Sequence, residues 1–361
     1  MAEPLILAIN PGSSSTKIGL FDGTTERASA TIRHEATDLE PFRGRPILEQ
    51  QPMRSVAVRE WLASSGVSLA ELGATVGRGG LLPPLASGTY RVGARMIELL
   101  DRHERGEHAS NLGAVIASDI AREAGVDAFV VDPVSVDEWP EHVRLSGHPL
   151  LPRVCLSHAL NAKAVAKRHA RACGSQYEDL RLIVAHLGSG ISISSHEDGR
   201  MIDVTNSREE GAFSPERAGG VPAMQLVDLC FSGQLDRAAV ETMLFKEGGL
   251  LAYLGTRDVA EALERAAAGD AQARLAIDAL VHQVTREIAA AAAPLRGQVD
   301  AILLTGGMAH ATALVEAITD RIAWIASVHV HPGEDELSAL AEGALRILTG
   351  AETPRVLAES V

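Results

Sequence analysis

One pattern occurs twice in this chain, and that duplication restricts its fold more than any other feature. The first copy is NPGSSSTKIGLFDG, behind the apolar run Leu5–Ile9; the second is HLGSGISISSHEDGR, behind a run starting near residue 181. Each reads as a strand, a turn of Gly and Ser, a second strand and an Asp-Gly turn, at Asp22-Gly23 and Asp198-Gly199. Copies lying about half a chain apart predict a duplicated domain. The polar stretch Gly174–Leu180 is the expected join, which sets domains at residues 1–177 and 178–361. A chain of 361 residues is long enough for two domains with separate cores.

The rest of the chain alternates strand and helix signals. Further strand-like runs are Ile18–Phe21, Ala128–Asp132, Arg181–Ala185, Ile191–Ser194, Ala301–Leu304 and Ser327–His331. In 111–124, Leu112, Val115, Ile116 and Ile120 share a helical face, and Gly125 supplies a stop. In 273–293 the stripe is Ile277, Val281, Val284 and Ile288, ended by Pro294; 335–348 repeats the pattern. Alternation of this kind predicts an α/β protein with mixed or parallel sheets. The final helix is free to pack back on the first domain.

Charge and composition narrow the partners. Net charge is −14 and aromatics are 3%, the reverse of a nucleic-acid-tracking surface. Cys155, Cys173 and Cys230 lie far apart with no CxxC pair, which predicts reduced structural thiols. The segment MAEPLILAINPGS has no basic stretch and only a short apolar one, so no signal peptide or membrane span is expected, and a cytoplasmic location is. An anionic ligand would have to be met by local cations. Lysine occurs only at Lys17, Lys163, Lys167 and Lys246, so arginine supplies nearly all of them.

Small residues let backbone N–H groups approach phosphate oxygens, and serine hydroxyls add donors. Asn10–Lys17 offers Gly12, Ser13, Ser14, Ser15, Thr16 and the Lys17 cation; His186–Gly190 offers Gly188, Ser189, Gly190 and a flanking imidazole. Neither is a Walker loop, because GxxxxGK[ST] occurs nowhere, and neither is a dinucleotide fingerprint, because a strand follows rather than a helix. Singly, each reads better as an ordinary hairpin turn; as a matched pair they read as phosphate loops. A third turn, LLTGGMAH with Gly306 and Gly307, suits a nucleotide base or ribose, or simply the entry to a helix.

These three loops in this order resemble the acetate and sugar kinase, Hsc70 and actin superfamily. Within it the chain resembles the butyrate kinases of the acetokinase family nearly end to end. The segments that carry the resemblance include AINPGSSSTKIGLFD, VGRGGLLPPLASGTY, HASNLGAVIASDIA, FVVDPVSVDE, SHALNAKAVAKR, VAHLGSGISIS, GAFSPERAGGVP, LLTGGMAHA and HPGEDELSALAEGALRIL. Acetate kinases carry HRVVHGG where this chain has VGRGG, and GTRSGD where it has SPERAGG. Departures from the usual butyrate kinase pattern are NPGSSSTK for NPGSTSTK, LGSGIS for LGGGIS, SHALN for FHALN at Ser157, and GTRDVAE for GTNDVRE at Ala260. The third bears on the acyl chain and the fourth on nucleotide affinity.

The resemblance implies two duplicated actin-like (ribonuclease H-like) domains with mixed sheets and an interdomain nucleotide cleft. It implies reversible phosphoryl transfer between ATP and butyrate, with Mg²⁺ as cofactor, ATP/ADP and a short-chain carboxylate as partners, and a homodimer or higher homo-oligomer. Propionate, isobutyrate or branched acids are alternative substrates, because one methylene is worth only about 1–3 kcal/mol. A nucleotide-binding regulatory module without catalysis, or a sugar kinase with an Asp base, remains open on the same fold.

A carboxylate is already an anionic nucleophile near neutral pH and needs no general base. What the reaction needs is relief of repulsion between two anions and stabilisation of the transferring phosphoryl, hence Arg, His and Mg²⁺. By resemblance Arg78 binds the substrate carboxylate and Arg217 stabilises the phosphoryl group. His158 becomes a transition-state contact and His186 a phosphate-loop donor. His108 either contacts the acyl site or caps the next helix. Asn10, Asp132 and Glu336 fall near Mg²⁺ by the same resemblance; Asp132 is equally a turn residue before Pro133, and Glu336 a first-turn residue favoured by the helix dipole. Lys17 either touches phosphate or sits solvated on its strand. His329 and His331, spaced i, i+2, read better as a solvent-facing strand edge than as a metal pair.

Overall fold

The computed structural model describes residues 4–358. By spatial compactness the chain divides into two units, one running through Asp137 and resuming at Asp335, the other Glu138–Glu334.

The first unit is built on strands β1 (Leu5–Pro11), β2 (Ser15–Asp22), β3 (Thr25–Arg33), β4 (Leu72–Arg78), β5 (Thr89–Arg91) and β6 (Asp127–Val131). Their order is β3-β2-β1-β4-β6-β5. β1, β2 and β3 form an antiparallel meander, while β4 runs parallel to β1 and β6 parallel to β4. On one face Leu7, Ile9, Ile18 and Leu20 pack against Val58 and Leu62 of helix Gln51–Ser64 and Leu112, Ile116 and Ile120 of helix Asn111–Ala124. Alternate residues of β1 and β2 point to that face, and β1 is buried at every position. Helix Glu336–Leu348 also packs on β1, β4 and β6. There Gly343 is required, since a Cβ would stand 2.3 Å from Val131 Cγ2.

The second unit repeats the plan with β7 (Leu182–Leu187), β8 (Ile191–Glu197), β9 (Arg200–Val204), β10 (Ala301–Gly306) and β11 (Ser327–Pro332), ordered β11-β10-β7-β8-β9. Again the first three strands form an antiparallel meander and the last two run parallel to the first. Both sheets are mixed, as alternating strands and helices predict, and the shared strand order is the tertiary form of the sequence duplication. Helices Val259–Ala267, Ala271–Ala291 and Thr312–Ile322 cover one face through Ala262, Val281, Val284, Ile288 and Ile318. Helix Ala159–Ala172 packs Ala162, Val165 and Ala166 on Leu182, Val184 and Leu303.

The spatial division therefore falls elsewhere than at residue 177. Gly174–Leu180 is a polar turn inside the second unit, because the helix before it belongs to the sheet after it. Buried Lys163 of that helix, 2.6 Å from Glu138, fixes it there as well. The last helix returns to the first unit. Among the described residues no helix is long and apolar enough to cross a membrane.

Candidate functional site

The first Gly/Ser turn closes the β1–β2 hairpin. Pro11 pairs with Thr16 and Asn10 with Lys17, which leaves Gly12–Ser15 as the turn. Ser13, Ser14 and Lys17 are exposed. The turn carbonyls are all engaged: Gly12 N–H donates to Ser15 O at 2.7 Å and His34 N–H to Ser14 O at 2.9 Å. Gly12 O, Ser13 O and Ser15 O accept from the guanidinium of Arg54 at 2.9, 2.9 and 3.0 Å. Arg54 is fully buried, and its guanidinium also donates to Thr16 Oγ1 and to Gln50 Oε1. Sequence reasoning missed Arg54. It lies in a helix outside every Gly/Ser motif, and only the tertiary fold brings it under the turn.

Beside this turn, Asn10 ends β1 and Arg78 ends β4, the parallel neighbour strand. Glu336, at the start of its helix, accepts from Asn10 Nδ2 at 2.5 Å on one oxygen and from Arg78 Nη1 on the other. The fold thus joins three of the sequence-selected residues in one buried cluster, and Arg78 Nε makes no hydrogen bond there. The glycines after Arg78 admit the protein's own side chains: a Cβ would meet Pro133 Cβ at 2.3 Å from Gly79, and Asn111 Oδ1 at 2.3 Å from Gly80.

Asp132 is buried at the end of β6, with φ of 37°. Left-handed backbone is costly for a non-glycine residue and persists where surroundings over-determine it. Here Ser87 Oγ and the Gly88 amide donate to its carboxylate at 2.6 and 2.8 Å. His108 is exposed, and its Nδ1 accepts from the Ser110 amide at 3.2 Å, in the turn just ahead of helix Asn111–Ala124.

The second Gly/Ser turn, Gly188–Gly190, closes the β7–β8 hairpin with Leu187 paired to Ile191. His186 and His158 stack with ring centroids 3.8 Å apart and 12° between planes. Asn161 donates through Nδ2 to Glu334 O at 2.7 Å, so its Oδ1 accepts from His186 Nδ1 at 2.9 Å and fixes the ring. His186 Nε2 is buried without a hydrogen bond, 3.5 Å from Glu334 Oε1. His158 Nδ1 meets Ser192 Oγ at 2.9 Å.

Arg217 reaches the same turn. A Cβ on Gly190 would lie 2.6 Å from Arg217 Nη1 and 3.5 Å from His158 Cε1. Arg217 makes no ion pair among the described residues, and its guanidinium donates only to Ser207 O at 3.3 Å and Ser207 Oγ at 3.5 Å. Burial lowers its pKa, opposed by Glu216 and aided by Arg208. A desolvated guanidinium without a carboxylate partner is poised for an anion.

A cavity of about 680 Å³ opens beside this turn. It is lined by Gly188, Ser189, Arg257, Ala260, Gly307 and His310, among others, a size suited to a nucleoside. The third glycine turn thus meets the second loop. Gly306, at φ of 92°, lets β10 press on Leu187, whose O would be 2.4 Å from a Cβ. Ala260 borders this cavity, as does Arg257, paired with Glu216 at 3.3 Å. Ser157 faces the interior, with Oγ 3.7 Å from Met201 Sδ.

On the edge strand β11, His329 is exposed and His331 half-buried, as a solvent-facing edge should be, and their rings lie beside His169 with centroids 4.5 and 5.9 Å from it. Burial and the neighbouring rings lower the His169 pKa. Among the described residues no group of three His, Cys, Asp or Glu is arranged to hold a metal ion.

Two units of one strand order, each with a Gly/Ser hairpin between its first two strands, define the class as the actin-like fold. The model of the acetokinase family matches residues 153–335, just over half the chain, and the chain belongs to that family. It is similar to the acetate kinase of Porphyromonas gingivalis, with a TM-score of 0.79 and 20% identity over 96% of this chain and 100% of that one. A propionate kinase from Francisella tularensis aligns at TM-score 0.74 and 19% identity over 94% of this chain and 98% of that one. The acetate kinase of Entamoeba histolytica gives 0.74 and 16% with the same coverage.

Proposed function

We propose that the chain is a carboxylate kinase that transfers the γ-phosphoryl group of ATP reversibly to a short-chain fatty acid, butyrate foremost. The observation that carries this reading is Arg217, desolvated, without an ion-pair partner and against Gly190 of the second loop. A carboxylate oxygen attacks the γ-phosphorus, the bond to the bridging β–γ oxygen breaks, and ADP leaves with that electron pair. No proton needs to move.

Arg217 and His158 offset charge on the transferring oxygens, and Arg78 pairs with the incoming carboxylate. The backbone amides of Ser13 and Ser14 in the first loop and of Ser189 and Gly190 in the second take phosphate oxygens. The cavity lined by Gly307 and Ala260 takes the nucleoside. Lys17, cross-strand from Asn10 and exposed, has reach for an outer phosphate. In this reading His108, which orders the turn ahead of its helix, borders the acyl site, and Asp132 holds the turn behind the cluster.

Asn10 and Glu336 fit Mg²⁺: the buried Glu336 carboxylate and the adjacent Asn10 amide, through its Oδ1, would supply the sparse hard-oxygen set that a nucleotide-bound ion takes. When bound, Mg²⁺ would neutralise part of the phosphate charge. In its absence the Arg78 guanidinium balances the Glu336 carboxylate and the Asn10 Nδ2 donates to it.

Self-association as a homodimer is supported by helix Ala223–Cys230, which is largely apolar yet buries none of its residues. Met224 and Phe231 are 70% and 87% exposed. An apolar face of this kind marks an interface.

The test is acyl hydroxamate formation from ATP, Mg²⁺ and hydroxylamine with straight and branched acids from acetate to hexanoate. A maximum at butyrate is expected. A maximum at propionate or isobutyrate moves the substrate, and no hydroxamate with any acid removes the activity.

A further inference from the structure

Arg54 is the largest fully buried side chain of the first unit, and its charge has no carboxylate beside it. All its hydrogen-bond acceptors are neutral: the carbonyls of Gly12, Ser13 and Ser15, the Thr16 hydroxyl and the Gln50 amide oxygen. A buried cation that keeps its proton with only dipoles around it is expensive to fold. Burial lowers its pKa to about 10, still well above neutrality, so the charge persists.

The orientation of the turn gives that charge a use. With the Ser14 carbonyl bound by the His34 amide, all four carbonyls of Gly12–Ser15 are tied down inside the protein. Carbonyls facing outward would repel a phosphate; tied inward, they leave the Ser13 and Ser14 amides, which donate to no other described residue, to face a ligand. The guanidinium sits directly behind this turn, adding positive potential that bulk water cannot screen.

We propose that Arg54 is a positioning residue of the first phosphate loop, one that turns its carbonyls inward and lends its uncompensated charge to the phosphates bound in front. This deepens the proposed function and rests on Gly12–Ser15 being a phosphate loop.

The discriminating variant is Gln50→Glu. A carboxylate at 50 accepts the same two hydrogen bonds, so the loop stays braced, yet it neutralises the guanidinium. Calorimetric titration of the full chain with ADP and Mg²⁺ is paired with urea unfolding, for wild type, Gln50→Glu, Arg54→Lys and Arg54→Met. Gln50→Glu is expected to unfold at equal or higher urea while binding ADP about tenfold more weakly. A purely structural brace would leave ADP affinity intact or improve it.

Arg54→Lys keeps the charge but cannot span three carbonyls, so it loses both stability and affinity; Arg54→Met loses more of each. Should Arg54→Met fail to fold, Gln50→Glu alone decides. Folded Gln50→Glu binding ADP within twofold of wild type, when wild type binds, overturns the role of Arg54 and leaves the kinase reading standing. Absence of ADP binding by wild type overturns the loop reading and this role with it.

Discussion

At the residue scale the account rests on groups held ready for anions. Arg217→Ala is expected to lower kcat by roughly 10³–10⁵-fold while ADP affinity stays near wild type, because its charge matters most in the transition state. Steady-state kinetics with calorimetry separates the two; turnover within about threefold of wild type would remove Arg217 from the reaction. Gly190→Ala tests the same guanidinium from the other side. Its methyl would sit 2.6 Å from Nη1 and displace it, so turnover should fall with little change in the unfolding midpoint.

Arg257 presents a gentler case. It borders the cavity that Ala260 also lines; if that cavity takes the nucleoside, Arg257→Ala at this exposed position should raise the KM for ATP a few-fold and leave kcat alone. Asn10, Arg78 and Glu336 were legible as separate candidates from their motifs. Their convergence was not, because Glu336 joins the other two only when the last helix returns to the first sheet. Arg54 carried no signal at all, since burial of an arginine is a property of the fold and not of the residues flanking it.

At the scale of elements, the hairpins and the amphipathic helices were readable because their periods are strong. β4 was not: LGATVGR is buried along nearly its whole length, so it shows no alternation, and its small residues serve contact with a helix. At Gly77 a Cβ would stand 2.0 Å from Gly113 O, which explains a glycine within a central strand. β3 escaped for the opposite reason, being an edge strand with every other residue exposed and none fully buried.

The elements also predict a pH response. His196 on β8 is buried between Tyr177 and Ser194, and burial, aided by Lys163, lowers its pKa to about 3. His34, His169 and His331 are lowered too, chiefly by burial. The unfolded chain therefore binds more protons than the folded one below the ordinary histidine range. The stability is fully present above about pH 6.5 and is lost as pH falls toward 3. Urea midpoints should be level from about pH 8 to 7 and decline steadily below about 6.5. His196→Gln should be less stable at neutral pH but show a shallower decline. An equal slope in both proteins would show that His196 does not govern the response.

At the scale of the molecule, the duplication in sequence and the strand order of the two sheets agree, and family membership follows from residues 153–335. The division of the chain was harder to read, because a composition boundary marks a turn and not the sheet on which a helix packs. Self-association is expected through the apolar helix Ala223–Cys230. Phe231→Arg should shift the mass measured by light scattering from dimer to monomer, and an unchanged mass would place the interface elsewhere.

The central claim is that a carboxylate oxygen receives the γ-phosphoryl group. The direct measurement is the fate of label from γ-labelled ATP incubated with the protein, Mg²⁺ and butyrate. Label is expected in an acid-labile product that hydroxylamine discharges, formed in step with ADP. Label recovered only as inorganic phosphate, or in a product stable to hydroxylamine, would contradict it.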